Sequence, residues 1–589
     1  AFHTRALDLG KFDQAIWNTL HGRFLTSTLQ GFSILGNHFS PFMALLSPLF
    51  LIWPNVRALF LVQTVGLAAA GLLLDRIVRR ARPGLATWFT VAFFLNPALH
   101  EVALDEFRRV TLAVPFLALA LYGLSTRKRP LTALGLGLAL LCKEDIALIV
   151  VMVGLYLLIF ERDPRWGWPL AALGLAWALV VTLWVIPAFR PPGDPTSLYP
   201  QLNYFGLSGD TYQEIIGQAL RRPWVFAQRM FDSEGRKAIW RVLFPVGLVL
   251  PFLAPDWLLI VVPSVSYMLM SSMPGMHSLQ DWYMASVLPG LFAAVAVALT
   301  RLPQRWARWG TVGLVGCALA GYLWFGHGLL GGQYAPELYR VTAHQRLAAQ
   351  AVTAVPNEAR VATQDPYVPH LSHREHIYLY PWISIGPEQI DFFLLDRHLH
   401  PYPLQRHEMD AQIDDMIADT RYTIEWEADG IYLFHQGGPP LPSFSVDAVA
   451  DGTMRLERVE VATSDQDGMY RTVAQEPAAM APGQLVRVSL YWEALVAPDA
   501  ERTISVRVSD GSGSVVAIYD NLPGQGKKPT SWWEEGWRIR DVYYLTVSPQ
   551  AQAGRSSLSL LVYDSISGET VPFESGTGIL ELCEVVIGP

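Results

Sequence analysis

The sequence predicts a multi-span α-helical membrane protein that continues into a small soluble α/β domain and a C-terminal antiparallel β-sandwich. Three observations predict it. Residues 40–330 are a succession of apolar runs; from 333 onward the chain reads as ordinary soluble protein; beyond 443 it breaks into short alternating runs bounded by Gly, Pro, Asp or Ser. The 589 residues therefore divide into an extracytoplasmic first loop (1–39), a transmembrane domain (40–330), an extracytoplasmic α/β domain (333–436) and an extracytoplasmic β-sandwich (443–589).

The opening stretch, "AFHTRALDLGKFDQAIWNTLHGRFLTSTLQGFSILGNHFSPF", is polar for a chain that runs straight into oily helices, and carries Asp8 and Asp13. After it, apolar segments fall at 57–76, 85–99, 110–124, 131–142, 146–160, 168–188, 240–254, 257–271, 284–300 and 309–328, which makes about ten spans. The basic loops "RIVRRARPG", "STRKRP", "ERDPRW" and "TRLPQRWARWG" follow alternate segments, and the positive-inside rule assigns them to the cytoplasm. "HFSPFMALLSPLFLIWP" breaks that parity if it spans; with Pro41, Pro48 and Pro54 it fits a helix lying in or dipping into the outer leaflet. The opening loop, "NPALHEVALDEFRR", "CKED", the 190–240 segment, "SSMPGMHSLQDWY" and the soluble tail then share the outer side. A further span is expected before Ala1.

In the tail, "PELYRVTAHQRLAAQAVTAV" alternates with strand-like runs such as "DFFLLD" and "GIYLFHQ", the pattern of a compact α/β domain, and "GGPPLP" at 437–442 reads as a linker. "QLVRVSLYWEAL", "RTISVRVSD", "VYYLTV" and "SLSLLVYD" then supply the sandwich. Trp532, Trp533 and Trp537 are expected to close one end of it by packing.

Cys142, Cys317 and Cys583 are far apart, which supports neither a zinc pattern nor a disulfide framework. A net charge of −8 without a long basic run argues against a nucleic-acid partner. No signal peptide is visible.

"DLGKFDQAIWNTLHGR", "LGNHFSPF", "LLCKEDIAL", "SVLPGLFAA" and "YVPHLSHREHIY" resemble a bacterial membrane-protein family, domain of unknown function 2079, of the GT-C glycosyltransferase superfamily, over about residues 1–435. The resemblance implies a GT-C-like fold in the bacterial plasma membrane and transfer of a sugar from a polyprenyl-phosphate donor at the outer face. The partners it implies are that donor, membrane lipids and a glycan, lipid or protein acceptor. In the superfamily an acid of the first outer loop serves as general base or substrate orienter; Asp8 is the matching position, with Asp13 next.

The chemistry asks for a carboxylate to take a proton from the acceptor hydroxyl and for cations to hold the departing phosphate. Arg108, Arg109 and Lys143 are the phosphate candidates; Glu144, Asp145, His38 and His277 complete the expected substrate-binding set, with Asp281 beside His277. His100, Glu101, Asp105 and Glu106 are the candidates for a divalent cation, although their spacing matches no tight metal motif, and no metal ligand is assigned. His370, His373, Arg374 and His376 read as domain packing or docking. The sequence departs from the family pattern at Asn37, where an Asp is usual, in "LDEFRR", which lacks a His, and at Trp282, where a His is usual. These losses of ionisable groups sustain an alternative: a catalytically degenerate GT-C-like subunit that serves as a structural or interaction component, with the sandwich as its surface for membrane-protein partners.

Overall fold

The chain divides into two compact units, one formed by His3–Arg340 and the other by Val341–Pro589 with Ala1–Phe2. The computed structural model describes residues 2–191, 205, 207, 212–277, 282–510 and 512–588.

The first unit is helical. Its opening stretch is folded, where the sequence suggested a loop. A π-helical turn, Ala6–Gly10, runs into the helix Lys11–Leu20, and a short hairpin pairs Thr26–Ser27 with Phe32–Ser33. Leu9, Phe12 and Ile16 recur at helical spacing and are all buried, which is the apolar stripe that makes this a helix. Its other buried side chains hold the hairpin: Gln14 Oε1 accepts from Ser27 Oγ at 2.8 Å and Thr28 N–H at 3.0 Å, and Asn18 Nδ2 donates to the Thr26 carbonyl at 2.9 Å.

The main helices are Arg57–Ala81, Pro83–Leu95, Ala113–Ser125, Arg129–Leu140, Ile146–Ile159, Pro164–Val180 with its π-helical extension to Ala188, Pro255–Met270, Leu288–Arg301 and Gln304–Phe325. Proline opens several of them, where its missing N–H costs nothing. Among the described residues two, Arg57–Ala81 and Pro164–Ala188, are long and apolar enough to cross a membrane. The other apolar helices run 10–17 residues, at most about 25 Å at ~1.5 Å per residue, short of the roughly 30 Å of a hydrocarbon core. The run 240–254 is broken. Helix Ser233–Leu243 ends there, Gly247 and Leu248 turn the chain at φ 82° and 53°, and Phe244–Val246 and Pro251–Leu253 form 3₁₀ turns, because Pro245 and Pro251 cannot continue a helical ladder. The proline-rich 40–53 stretch is likewise a 3₁₀ segment, Pro41–Leu46, and one helical turn, Leu49–Ile52, with Leu45, Leu51 and Ile52 exposed. Close packing rests on small residues: a Cβ on Gly154 would lie 2.5 Å from Ala171 N, and one on Gly135 2.6 Å from Ala120 N.

The second unit holds three sheets' worth of tail. In the α/β part the strand order is Ile377–Leu379, Val361–Thr363, Phe392–Asp396, Ile431–Gln436, Tyr422–Ala428. The first three are parallel and the last two antiparallel, so the sheet is mixed. Asp429 and Gly430, both at positive φ, close the Tyr422–Ala428/Ile431–Gln436 hairpin in the two-residue turn that Asp-Gly favours. Beyond it, one sheet is built on Met454–Ser464, Leu485–Ala494 and Arg538–Thr546, the other on Leu580–Ile587, Gly554–Asp564, Arg502–Ser509 and Val515–Asn521. Ala478–Met480 pairs in parallel with Leu580–Ile587, a departure from the purely antiparallel expectation. Of the three tryptophans, Trp533 is buried and donates its indole N–H to the Lys528 carbonyl at 2.9 Å, while Trp532 and Trp537 are exposed.

The 437–442 stretch does not separate two independent bodies. Arg540 of the sandwich, buried, donates to the carbonyls of Met416, Ile417 and Tyr422 at 3.0, 2.6 and 2.7 Å, two of them orphans at the C-terminus of helix Arg406–Ala418. Arg487 is buried between Glu427 of the α/β sheet and Glu460 of the sandwich; Tyr544 donates to Glu427 at 2.6 Å and Tyr491 to Glu460 at 3.0 Å. Two carboxylates are thus desolvated around one guanidinium. Arg487→Met should therefore destabilise this unit by roughly 3–5 kcal/mol, the cost of leaving buried charges unpaired. Thermal unfolding and proteolysis at 437–442 of the full chain measure it; an unchanged melting temperature and cleavage rate would refute the assignment.

Candidate functional site

The helical unit contains a cavity of about 320 Å³ lined by Leu7, Asp8, Lys11, Asn37, His38, Arg108, Arg109, Val110, Lys143, Tyr267 and Trp282. Four cations, one carboxylate and one imidazole thus meet from four separate stretches of chain.

The opening turn delivers Asp8 and Lys11. The Glu106 carboxyl group accepts from the N–H of Arg5 at 2.5 Å and of Leu9 at 3.0 Å, which pins the turn to the 105–108 loop on both sides of Asp8. Arg108 pairs with Asp8, and its Nε donates to Asp105 at 3.1 Å. Burial pushes the Glu106 carboxyl up to about 8, against the pull of Arg108, so it holds a proton at neutral pH. Burial likewise pushes the Lys11 ammonium down to about 8, Asp8 opposing and Arg109 and Arg108 adding to the shift.

The far wall is built by residues 37–39 and 142–145. His38 Nδ1 lies 2.6 Å from Glu144 Oε1, and the Phe39 N–H donates to Glu144 Oε2 at 3.1 Å. Burial first, and Arg109 second, hold His38 down at about 3, so the ring is neutral and Nδ1 carries the proton it donates. Burial opposes ionisation of Glu144, but His38, Lys143 and Arg109 together outweigh it and keep the carboxyl well below the usual range. Ser40 Oγ, bonded to the Cys142 carbonyl at 2.8 Å, ties the two loops once more. Lys143 pairs with Asp145 at 2.6 Å.

Trp282 contacts two of the cations: the Arg108 guanidinium lies 5.4 Å and the Lys143 ammonium 5.3 Å from the centre of its ring. Tyr267 offers Lys143 a second ring at 5.8 Å. A neutral His in place of Trp282 would give the cations no comparable face. Lys11, Tyr267 and Trp282 are the site residues that the sequence motifs did not single out as contributors. The only signal was Lys11 three positions after Asp8, the spacing that sets two side chains on one helix face.

The expected set therefore separates. Asp8, His38, Arg108, Arg109 and Lys143 line the cavity; Glu144 and Asp145 stand behind it as partners of His38 and Lys143. Asp13, five positions beyond Asp8, is fully buried in its helix and, among the described residues, is not one of those lining the cavity. His277 Nε2 lies 3.2 Å from the Leu269 carbonyl, also away from the lining, and Asp281 lies outside the described residues. The cation candidates diverge: His100 lies 2.7 Å from the Phe94 carbonyl, Glu101 pairs with His327, and Asp105 and Glu106 are engaged as above. Arg374 is buried and donates to the carbonyls of Leu371, Pro356 and Ala359. What the cavity offers is a concentration of positive charge around one carboxylate, suited to an anion with a hydroxyl beside it.

A second cavity of about 350 Å³ is almost wholly apolar, lined among others by Met230, Val242, Phe252, Val265, Met268 and Leu269. Helix Pro255–Met270 serves both, with Tyr267 in the polar cavity and Met268 in the apolar one.

A family model described as a predicted membrane protein, DUF2079, matches residues 1–433. No curated protein matches the chain in sequence. Solved structures similar to it include ArnT from Cupriavidus metallidurans in the apo state, 15% identical with a TM-score of 0.44, and the same protein bound to undecaprenyl phosphate, 13% identical with a TM-score of 0.45. Each alignment covers 73% of this chain and 94% of that one.

The His38–Glu144 pair should behave as one unit. A double-mutant cycle of His38→Ala and Glu144→Gln, read by thermal unfolding of the detergent-solubilised chain, should return a coupling of about 1–3 kcal/mol, the range of a buried charged hydrogen bond. Additive effects would mean that the pair does not organise this wall.

Proposed function

We propose, for a chain that belongs to the DUF2079 family of predicted membrane proteins, that it is an integral-membrane glycosyltransferase of the bacterial plasma membrane, which moves a sugar from a polyprenyl-phosphate donor to an extracytoplasmic acceptor. The observation that carries the reading is the meeting of Asp8 with Lys11, Arg108, Arg109 and Lys143 around one cavity, beside an apolar cavity that shares helix Pro255–Met270. An amphiphilic donor needs both: cations for its phosphate and an apolar wall for its tail.

In this reading Asp8 accepts the proton of the acceptor hydroxyl as the oxygen attacks the anomeric carbon. The bond from that carbon to the phosphate oxygen breaks, and the charge that develops on the departing phosphate falls to Lys143, Arg109 and Lys11. Arg108, bound to Asp8 and Asp105, orients the base. His38 is a positioning residue that acts through Glu144. Trp282 helps to hold Arg108 and Lys143 through its ring. No step calls on a metal ion.

The non-catalytic reading draws on the same pairs, since Arg108 with Asp8 and Lys143 with Asp145 also form a self-sufficient ionic network. The two part company on substitution. Asp8→Asn should lower conversion of a polyprenyl-phosphate sugar to polyprenyl phosphate by about 100-fold or more, in the range of general-base catalysis, while native mass spectrometry still finds the lipid retained. Lys143→Met should instead lose the lipid. Full turnover by Asp8→Asn would overturn the assignment of the base.

The pH dependence has a definite sign. Lys11 is charged below about 8 and Glu106 is neutral below about 8, so both changes on raising pH through that value remove positive potential from the cavity. Affinity for polyprenyl phosphate should therefore fall between pH 7 and 9. His38, neutral throughout, should add no inflection between pH 5 and 8. The Lys11→Met variant should bind more weakly with a flatter profile in lipid-retention titrations; an unchanged slope would remove Lys11 from the phosphate site.

A further inference from the structure

The second unit carries a cluster far from any pattern visible in the sequence. His344, Asp396 and His398 each offer one ligand atom, and these atoms lie within 4.8 Å of one another. Asp396 ends the strand Phe392–Asp396, which is parallel to Val361–Thr363, so the cluster stands outside the carboxyl ends of parallel strands, the edge at which such sheets bind ligands. His344 opens helix Ala343–Ala354, and His398 is exposed on the loop after the strand.

The surroundings are organised around these three. Asp396 Oδ2 accepts from Tyr367 Oη–H at 2.8 Å and lies 2.9 Å from His344 Nε2; its Oδ1 accepts from the His398 backbone N–H at 2.7 Å. Gln364 fixes its backbone from both sides, accepting from the Asp396 N–H at 2.6 Å and donating to the Asp396 carbonyl at 3.0 Å. The other nitrogen of His344, Nδ1, lies 2.8 Å from Asp429 Oδ2. A carboxylate behind a histidine in this way sets ring orientation and raises ligand basicity in metal sites. The Asp-Gly turn contributes twice, since a Cβ on Gly430 would come within 3.3 Å of His398 Cε1 and 3.4 Å of its Nε2. Glycine leaves the ring room to lie there.

We propose that His344, Asp396 and His398 bind a divalent transition-metal ion of the zinc class, with Asp429 as the outer partner of His344 and the remaining coordination positions open to water or an anionic ligand. Two imidazoles and one carboxylate are a donor set for such ions and leave an open site. Two donors at about 2.1 Å from one tetrahedral ion sit about 3.4 Å apart; the His344 and Asp396 atoms are already 2.9 Å apart, and closure asks the exposed His398 ring to rotate in toward them. The ion replaces the proton now shared by His344 and Asp396.

The test uses the full detergent-solubilised chain, stripped with chelator and titrated with zinc. Wild type should retain one zinc per chain more than His398→Ala, and cobalt should give a visible d–d band in wild type that His398→Ala lacks. Because His398 is exposed, this variant should unfold at the wild-type temperature without metal, and zinc should raise the melting temperature of wild type only. Equal zinc retention, no differential cobalt band and equal melting shifts would overturn the proposal and leave His344 as an ionic bridge between Asp396 and Asp429.

Discussion

Charge placed at the end of an apolar helical body is costly unless it is paired, and that constraint organises this protein. The polar cavity exists because acids stand behind its cations. Glu144 stands behind His38 and near Lys143, Asp145 behind Lys143, and Asp8 and Asp105 around Arg108. The Lys143–Asp145 and Arg108–Asp105 pairs are local, but the others join stretches of chain remote in sequence. Glu144 reaches from the turn before helix Ile146–Ile159 to residues 38 and 39, and Glu106 holds the N–H groups on both sides of Asp8. The electrostatics and the tertiary fold are therefore one arrangement, in which loops are positioned by the need to neutralise buried charge.

Pairing serves differently in the second unit. Arg487 and Arg540 each cross from the sandwich to the α/β sheet, one to carboxylates and the other to helix-terminal carbonyls. Both are buried, so neither is screened by solvent. The result is a single unit across a stretch that reads in sequence as a linker. Rigid support of that kind is what a precise cluster at the strand ends requires: Asp396 is held by Gln364, Tyr367 and His344 at once, and its geometry has little freedom to drift.

How much of this was legible in the sequence depended on whether the signal was local. Helix Lys11–Leu20 carries its apolar stripe in plain view, but the polar residues that dominate the stretch give it the composition of a loop. The run 240–254 looked continuous by hydropathy, yet Pro245, Gly247 and Pro251 carried the signals that break it. The tryptophan cluster is visible, but which of the three turns inward depends on the Lys528 carbonyl, five residues before Trp533 and fixed only by the folded loop. Trp282, an apparent loss at a position where the family pattern has histidine, contacts two cations. His344 and His398 gave no pattern at all, separated as they are by more than fifty residues.

The sequence by itself determined the division into an apolar helical portion and a β-rich tail, because hydropathy and alternation act over windows of ten to twenty residues. It also identified the acids and cations available to the polar cavity. Only the tertiary structure decided which of them meet: Asp8 at the cavity and Asp13 in the core, Glu144 behind His38, Arg109 beside Lys143, His277 elsewhere. Those choices depend on desolvation and on partners a hundred residues away, and neither quantity is written in any local stretch of chain.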